Sequence, residues 1–342
     1  MSDDALADRL LAVIRRITGL PDLAYRGAPE RLTGGYWAEL LAFSLEHAPP
    51  GWQGQLVARV MPDAGTAAKE TAVQSTMADA GVPTPRVRAS GGPDDGLGRA
   101  FMVMDRADGV PLLAGIDRVA GLLGAPRRLW RMPDVLASVM ARLHSVDPTP
   151  IRARLARIDG VPATLADHLE WLSAMAQLFD RSDLAAAAQW SLDHEGESAF
   201  DVVCHGDLHP FNVLIDDNGD VTVLDWSVAL IAPRTYDVAF TSLLLANPPI
   251  AVPDPAQPAV RAAGRALAAR FVRRYEHHRG EAVDATALTR YQAIVALRAL
   301  LEVAQWVHEG VVDARAGHPW LLSADAFAAR VTAVTGVPVR PR

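Results

Sequence analysis

The stretch HGDLHPFNVLIDDNGDVTVLDW, positions 205–226, holds three residues whose types and spacing can do chemistry: Asp207, Asn212 and Asp225. An amide oxygen and a carboxylate are hard donors of the kind Mg²⁺ takes together with phosphate and water. Asn218-Gly219 between two β-prone runs is a strong hairpin signal, because both central positions of a type I′ turn need positive φ. A two-residue turn there sets Ile215 opposite Thr222, Val213 opposite Leu224 and Asn212 opposite Asp225. Side chains so opposed have Cβ atoms about 4.5–5.5 Å apart, close enough to share one cation. A three-residue loop offsets the pair by one position. The remaining carboxylate, Asp207, lies five residues before Asn212 in a His-Gly-Asp-Leu loop. Singly, each feature is more often an Asx turn, a strand-end cap or a hairpin tip; their joint order and spacing carries the reading.

Asp, then Asn, then Asp after a hairpin is the order of the protein-kinase machinery: base, metal ligand, second metal ligand. Gly206 stands where protein kinases usually place Arg. HGDLHPFNVL, VLDW and the later PRTYDVA resemble the aminoglycoside phosphotransferase family, a branch of the protein-kinase-like fold that phosphorylates small molecules. The resemblance runs from the glycines at Gly34 to Asp237 and weakens in the last third. It implies that Asp207 is the catalytic base, that Asn212 and Asp225 hold magnesium, and that His205 and Asp237 brace the catalytic loop. His209 falls in the same loop, as a brace or a substrate contact. The family usually carries Gly-Asp-Pro before its Tyr-Asp; here the text is Ala232-Pro233-Arg234-Thr235.

A kinase also needs a cation on the α/β-phosphates, held by a helix carboxylate. The strand-like GQLVARVM offers Arg59, where the family usually has Lys, and the helix after it offers Glu70. Glu70 lies one turn before Val73 and two before Met77, hence on the inward face, and a carboxylate there needs a partner. The expected pair is Arg59–Glu70. Lys69, the only lysine of the chain, points elsewhere on that helix and is expected at the surface. Gly34-Gly35 precede a strand and can bring backbone amides to phosphate, though two glycines are also an ordinary turn. The strand ending at Met104-Asp105 matches the family's link between lobes, where backbone groups read the nucleobase of ATP or GTP.

The elements that must position these residues follow from pattern. The first third is β-rich, with one helix over 66–80 that Gly81 and Pro83 stop. After Asp105 the chain is mostly helical, interrupted by the hairpin. The expected fold is α+β and two-lobed, protein-kinase-like: a small antiparallel-sheet lobe with one helix over residues 1–105, and a larger helical lobe with the embedded catalytic hairpin over 106–342. That arrangement points to a ligand cleft between lobes. The N-terminal stretch reads as an amphipathic helix, Asp134 as the N-cap of PDVLASVMARL, and Cys204, the single cysteine, as a buried thiol.

At 342 residues and 50% hydrophobic the chain buries a large core, and a net charge of -7 argues against nucleic-acid or membrane-surface partners. A cytoplasmic protein is expected, with Mg²⁺ and a nucleoside triphosphate as cofactors and a hydroxylated small molecule as acceptor. Residues 261–342 are rich in Arg and comparatively poor in acid. That favours an antibiotic that is not strongly cationic, of the macrolide or sugar-nucleoside type, over an aminoglycoside or an amino alcohol or sugar of primary metabolism. Glu302, Gln305, Trp306 and Glu309 share a helical stripe that reads equally as a sugar-binding wall or a mixed surface face. The contrasting class, an inactive nucleotide-binding regulator, has no need of Asp207.

Overall fold

The protein is described from a computed structural model, covering residues 3–32, 38–114, 125–194, 201–248, 255 and 257–342. The chain divides into two compact units. The first comprises Met1–Pro111, Thr149–Val161 and Asn212–Ala229; the second comprises Leu112–Pro148, Pro162–Phe211 and Leu230–Arg342.

In the first unit an antiparallel sheet runs in the order β1 (Ala24–Tyr25), β3 (Glu39–Glu46), β4 (Gln55–Met61), β6 (Ala100–Asp105), β5 (Val87–Gly91), with β2 (Glu30–Leu32) also on β3. Strand alternation sorts β4 between two faces. Leu56, Ala58 and Val60 join Leu10, Val13 and Ile14 of the amphipathic helix α1 (Asp3–Thr18) in one apolar cluster. Met61 lies on the other face with Met102 and with Ala67 of α2 (Ala64–Asp79). Arg59 has the parity of Met61 and therefore faces α2. Asp63 caps α2, its Oδ1 accepting from Thr66 N at 2.6 Å, and Gly81 at φ +81° turns the chain away after it. The helix packs on β5 and β6 and also on α4 (Thr149–Leu155).

A second sheet of this unit, β7 (Val110–Pro111), β9 (Val213–Ile215) and β10 (Val221–Val223), contains the expected hairpin. Its register is one residue off the two-residue-turn expectation: Ile215 faces Val221 and Val213 faces Val223. The loop has three residues, Asp217-Asn218-Gly219, and only Gly219 has positive φ, at +88°. Asp216 is the reason. Its Oδ1 accepts from Asn218 N at 2.9 Å and Asp220 N at 2.8 Å, an Asx turn that leaves the left-handed position to Gly219 alone.

The second unit is helical around a core that includes Phe240, Leu300, Trp320 and Phe327. Its helices are α3 (Ala125–Leu143), α5 (Leu165–Leu178), α6 (Ser182–Asp193), α7 (Arg234–Ala246), α8 (Gln257–Arg279), α9 (Ala285–His308) and α10 (Pro319–Thr335). A two-stranded sheet, β8 (Asp201–Cys204) with β11 (Leu230–Pro233), lies among them. Asp134 is not an N-cap: α3 starts earlier, and Asp134 pairs with Arg270 and Arg274 of α8. Cys204 is buried, and burial raises its thiol well above the usual range. Among the described residues no helix is long and apolar enough to cross a membrane.

Candidate active site

The segment from His205 to Phe211 belongs to the second unit. Asp237, in the first turn of α7 and fully buried, accepts from the backbone N–H of His205 through Oδ2 and of Gly206 through Oδ1, both at 2.7 Å. His144 Nε2 lies 3.1 Å from the same carboxylate, and its Nδ1 is 2.7 Å from the Tyr275 hydroxyl. A buried carboxylate so surrounded is fully satisfied and fixes two consecutive peptide units. Gly206 sits at φ +74°, a left-handed conformation that the Arg of the protein-kinase text would adopt only with strain. The peptide turn so fixed leads directly to Asp207.

Asp207 keeps 23% of its side chain exposed. His209 Nε2 lies 3.5 Å from Oδ2, and Arg298 Nη2 of α9 lies 3.6 Å from Oδ1. Burial works to raise the Asp207 carboxyl, but His209, Arg298 and His205 together hold it well below the usual carboxylate range. It is ionised throughout the physiological range. His209 Nδ1 accepts from Phe211 N at 3.2 Å and His205 Nδ1 from Asp207 N at 3.2 Å, so both histidines shape the loop around the carboxylate.

The second constellation lies within the first unit. Arg59 Nε is 3.3 Å from Glu70 Oε2, and Arg59 Nη2 donates to Asp225 Oδ1 at 3.1 Å. One guanidinium thus stands between two carboxylates. The hairpin is tied to the loop after α2: Val223 N donates to Pro83 O, Thr84 Oγ1 to Val223 O, and Trp226 Nε1 to Thr84 Oγ1. That seam sets Asp225 beside Arg59. Asp225 has φ +65°, a strained conformation that a short polar residue tolerates best and that recurs at functional sites.

Asn212 O accepts from Leu224 N at 2.9 Å, so Asn212 lies beside the residue before Asp225. Asp225 uses Oδ1 for both Arg59 and Ser227 Oγ, and Oδ2 has no hydrogen bond among the described residues. An amide oxygen and a carboxylate with a clear oxygen fit a hard cation such as Mg²⁺.

Glu70 is 1% exposed. Burial, with Asp225 adding like charge, outweighs Arg59 and pushes its carboxyl up to about 8. Between the ordinary value near 4.5 and about 8 the folded protein holds a proton that the unfolded chain does not. Stability therefore falls as pH rises through that window. Glu70→Gln removes this slope. Thermal unfolding at pH 5.5 and 8.5 should show the variant gaining on the parent with rising pH, by about 1–3 kcal/mol. Parallel pH profiles would show that Glu70 is ionised throughout.

Other expectations fare differently. Gly34 and Gly35 lie outside the described residues. Lys69 is not at the surface but 5% exposed, because α2 is covered by α4 as well as by the sheet, so helix positions turned from the sheet are buried too. Met104 pairs with Val57 and Val87, and its Sδ accepts from Gln74 Nε2 at 3.3 Å. Asp105 is held in a bidentate pair with Arg88, both bonds 2.7 Å. Trp306 is core, 2% exposed, with His318 edge-on at 4.6 Å, so it offers no wall to a ligand. Glu309 is exposed and accepts from Gln305 Nε2. Glu302 is half-buried; its Oε2 accepts from Trp320 Nε1 at 3.0 Å and its Oε1 lies 3.4 Å from Arg298 Nε.

Arg298, His144 and Tyr275 are absent from the sequence-based set. A signal for Arg298 existed: one guanidinium inside the apolar run IVALRALLEV has to find partners.

Comparison with known proteins bears on the fold and the family. A Bacillus subtilis protein, YcbJ, itself uncharacterised, is 26% identical over 144 residues, 37% of this chain and 45% of that one. The chain thus spans less than half the length of that relative. A protein of Ralstonia eutropha JMP134, provisionally named an aminoglycoside phosphotransferase, superposes with a TM-score of 0.65 at 20% identity, covering 96% of this chain and 98% of the other. The macrolide 2′-phosphotransferase MphH of Brachybacterium faecium gives a TM-score of 0.56 at 17% identity, with coverages of 93% and 97%. At such identities the likeness establishes the fold. The sequence profile of the phosphotransferase enzyme family (APH) matches residues 38–282, well over half of the chain, and the protein belongs to that family.

Proposed function

We propose that the protein is a Mg²⁺- and nucleoside-triphosphate-dependent O-phosphotransferase acting on a hydroxyl of a small molecule. The observation that carries this reading is the Asp207 loop, a carboxylate kept ionised at the end of a peptide turn clamped by Asp237. In that role Asp207 accepts a hydrogen bond from the acceptor hydroxyl and takes its proton as the oxygen bonds to the γ-phosphorus and the bond from that phosphorus to the bridging oxygen breaks, releasing the nucleoside diphosphate. Asn212 and Asp225 would hold Mg²⁺, whose chemistry is to neutralise charge on the phosphates. Arg59, poised between Glu70 and Asp225, has guanidinium donors left for the α/β-phosphates. The Met104-Asp105 strand end would read the nucleobase. Family membership supports the reaction class.

The names of the two similar structures divide between aminoglycoside and macrolide, so the acceptor has to be argued from charge. The Arg-rich composition is a weak guide, since Arg270 and Arg274 are consumed by Asp134 and Arg340 pairs with Asp183. A better guide is local. Asp207 and Glu302 share Arg298 between them, which leaves, among the described residues at that point, little surplus acid to pair several ammonium groups. An acceptor that is not strongly cationic, a macrolide or sugar-nucleoside antibiotic, fits best. The test is a panel of hydroxylated antibiotics and metabolites with Mg·ATP and Mg·GTP, scored by mass spectrometry for a phosphate adduct. Adducts on neutral or singly charged acceptors are expected, and adducts confined to aminoglycosides would overturn the charge argument.

A further inference from the structure

Arg298 lies on α9, 91 residues beyond Asp207 in the sequence, within the buried run from Ala293 to Leu301. Its side chain is 9% exposed, and all three guanidinium nitrogens are engaged. Nη1 donates to Gly206 O at 2.7 Å, Nη2 lies 3.6 Å from Asp207 Oδ1, and Nε lies 3.4 Å from Glu302 Oε1. Glu302 is in turn held by Trp320 Nε1 from α10 at 3.0 Å. The chain of contacts therefore runs from the core-packed Trp320 through Glu302 and Arg298 to the carboxylate and to the peptide just before it.

We propose that Arg298 is the positioning residue for Asp207, with Glu302 and Trp320 fixing the guanidinium. The inference rests on the base assignment made above. Arg298 engages both the Gly206 carbonyl, by a hydrogen bond, and the next side chain, by an ion pair. That double hold sets the peptide from which Asp207 projects as well as its χ angles. Charge adds to geometry. The groups facing Asp207 are His205 and His209 from its own loop, Arg298 and Glu302 from α9, and His318 ahead of α10. A histidine helps only when protonated, whereas a guanidinium is charged at every working pH. Arg298 is thus the permanent cation at the carboxylate, and removing it lets the Asp207 carboxyl rise.

The probe is Mg·ATP with water as acceptor, so no knowledge of the physiological acceptor is needed. In the full chain, Arg298→Met should lower phosphate release from ATP by about 10- to 100-fold, the scale on which a displaced catalytic group costs rate, with ATP affinity unchanged by calorimetry. ¹³C-carboxyl titration, assigned through Asp207→Asn, should show Asp207 titrating at higher pH in Arg298→Met than in the parent. Arg298→Lys should restore the titration and only part of the rate, because ammonium keeps the charge and loses the fork. Glu302→Gln, which leaves the charge at 298 in place, should lower the rate several-fold without raising the Asp207 titration. It also serves as the test if Arg298→Met does not fold. An Asp207 titration and hydrolysis rate unmoved by the Arg298 and Glu302 variants, where Asp207→Asn abolishes hydrolysis, would overturn the positioning role alone. Hydrolysis unaffected by Asp207→Asn would overturn the base assignment beneath it.

Discussion

Asp207→Ala will lower turnover by about two to four orders of magnitude, the usual contribution of a positioned general base, with Mg·ATP affinity close to that of the parent. The asymmetry follows from where the residue sits. Asp207 contacts His209 and Arg298, whereas Arg59, Glu70 and Asp225 form a separate constellation in the other compact unit. Asn at this position is the sharper probe: it keeps the volume and can accept a hydrogen bond, but cannot take a proton. Both variants should retain the parent's fold, because the loop is clamped through Asp237 and the backbone of His205 and Gly206. Circular dichroism and steady-state kinetics on an acceptor from the panel decide the matter. Turnover of Asp207→Ala equal to the parent would remove the base assignment.

The second large effect is expected at Asp225. Replacing it with Ala should weaken Mg·nucleotide binding on the order of 100- to 1000-fold, since one unit charge about 4 Å from another is worth about 4 kcal/mol near a protein surface. Asn212→Ala should be milder, removing a neutral donor. Arg59→Ala should raise the nucleotide KM and lower kcat together, as the guanidinium would serve both binding and placement. Lys69→Ala should leave that KM alone and lower thermal stability, because Lys69 is a buried member of α2. Calorimetric titration with Mg·ATP separates the cases. Undiminished affinity in Asp225→Ala would contradict the assignment of Asp225 as a metal ligand.

Much of this was legible in the chain because the signals are local. Asp207, Asn212 and Asp225 lie within nineteen residues of one another, and helix periodicity was enough to turn Glu70 inward, toward the strand that offers Arg59. The hairpin register was missed by one residue because Asn-Gly supports either a two-residue turn or the end of a three-residue loop. The Asx turn made by Asp216 decided between them. Long-range burial was the less legible part. Lys69 and Trp306 sit at positions whose neighbours come from α4 and from the segment before α10, and no periodicity within their own helices reports that cover. Arg298 escaped for the same reason, since the carbonyl it holds is 92 residues away.

The two compact units are interleaved along the chain: the backbone passes from one to the other five times. Neither can be excised by a single cut. A fragment ending near Pro111 would carry the larger sheet but lack α4, which covers α2, and the hairpin that brings Asp225 to Arg59. Exchange of acceptor preference between relatives by swapping contiguous halves is therefore a poor engineering route. A workable chimera has to transplant three segments at once, with junctions near residues 111, 149, 161, 212 and 229. The same interleaving makes premature termination unforgiving, because a nascent chain cannot complete its first unit until translation has passed Ala229.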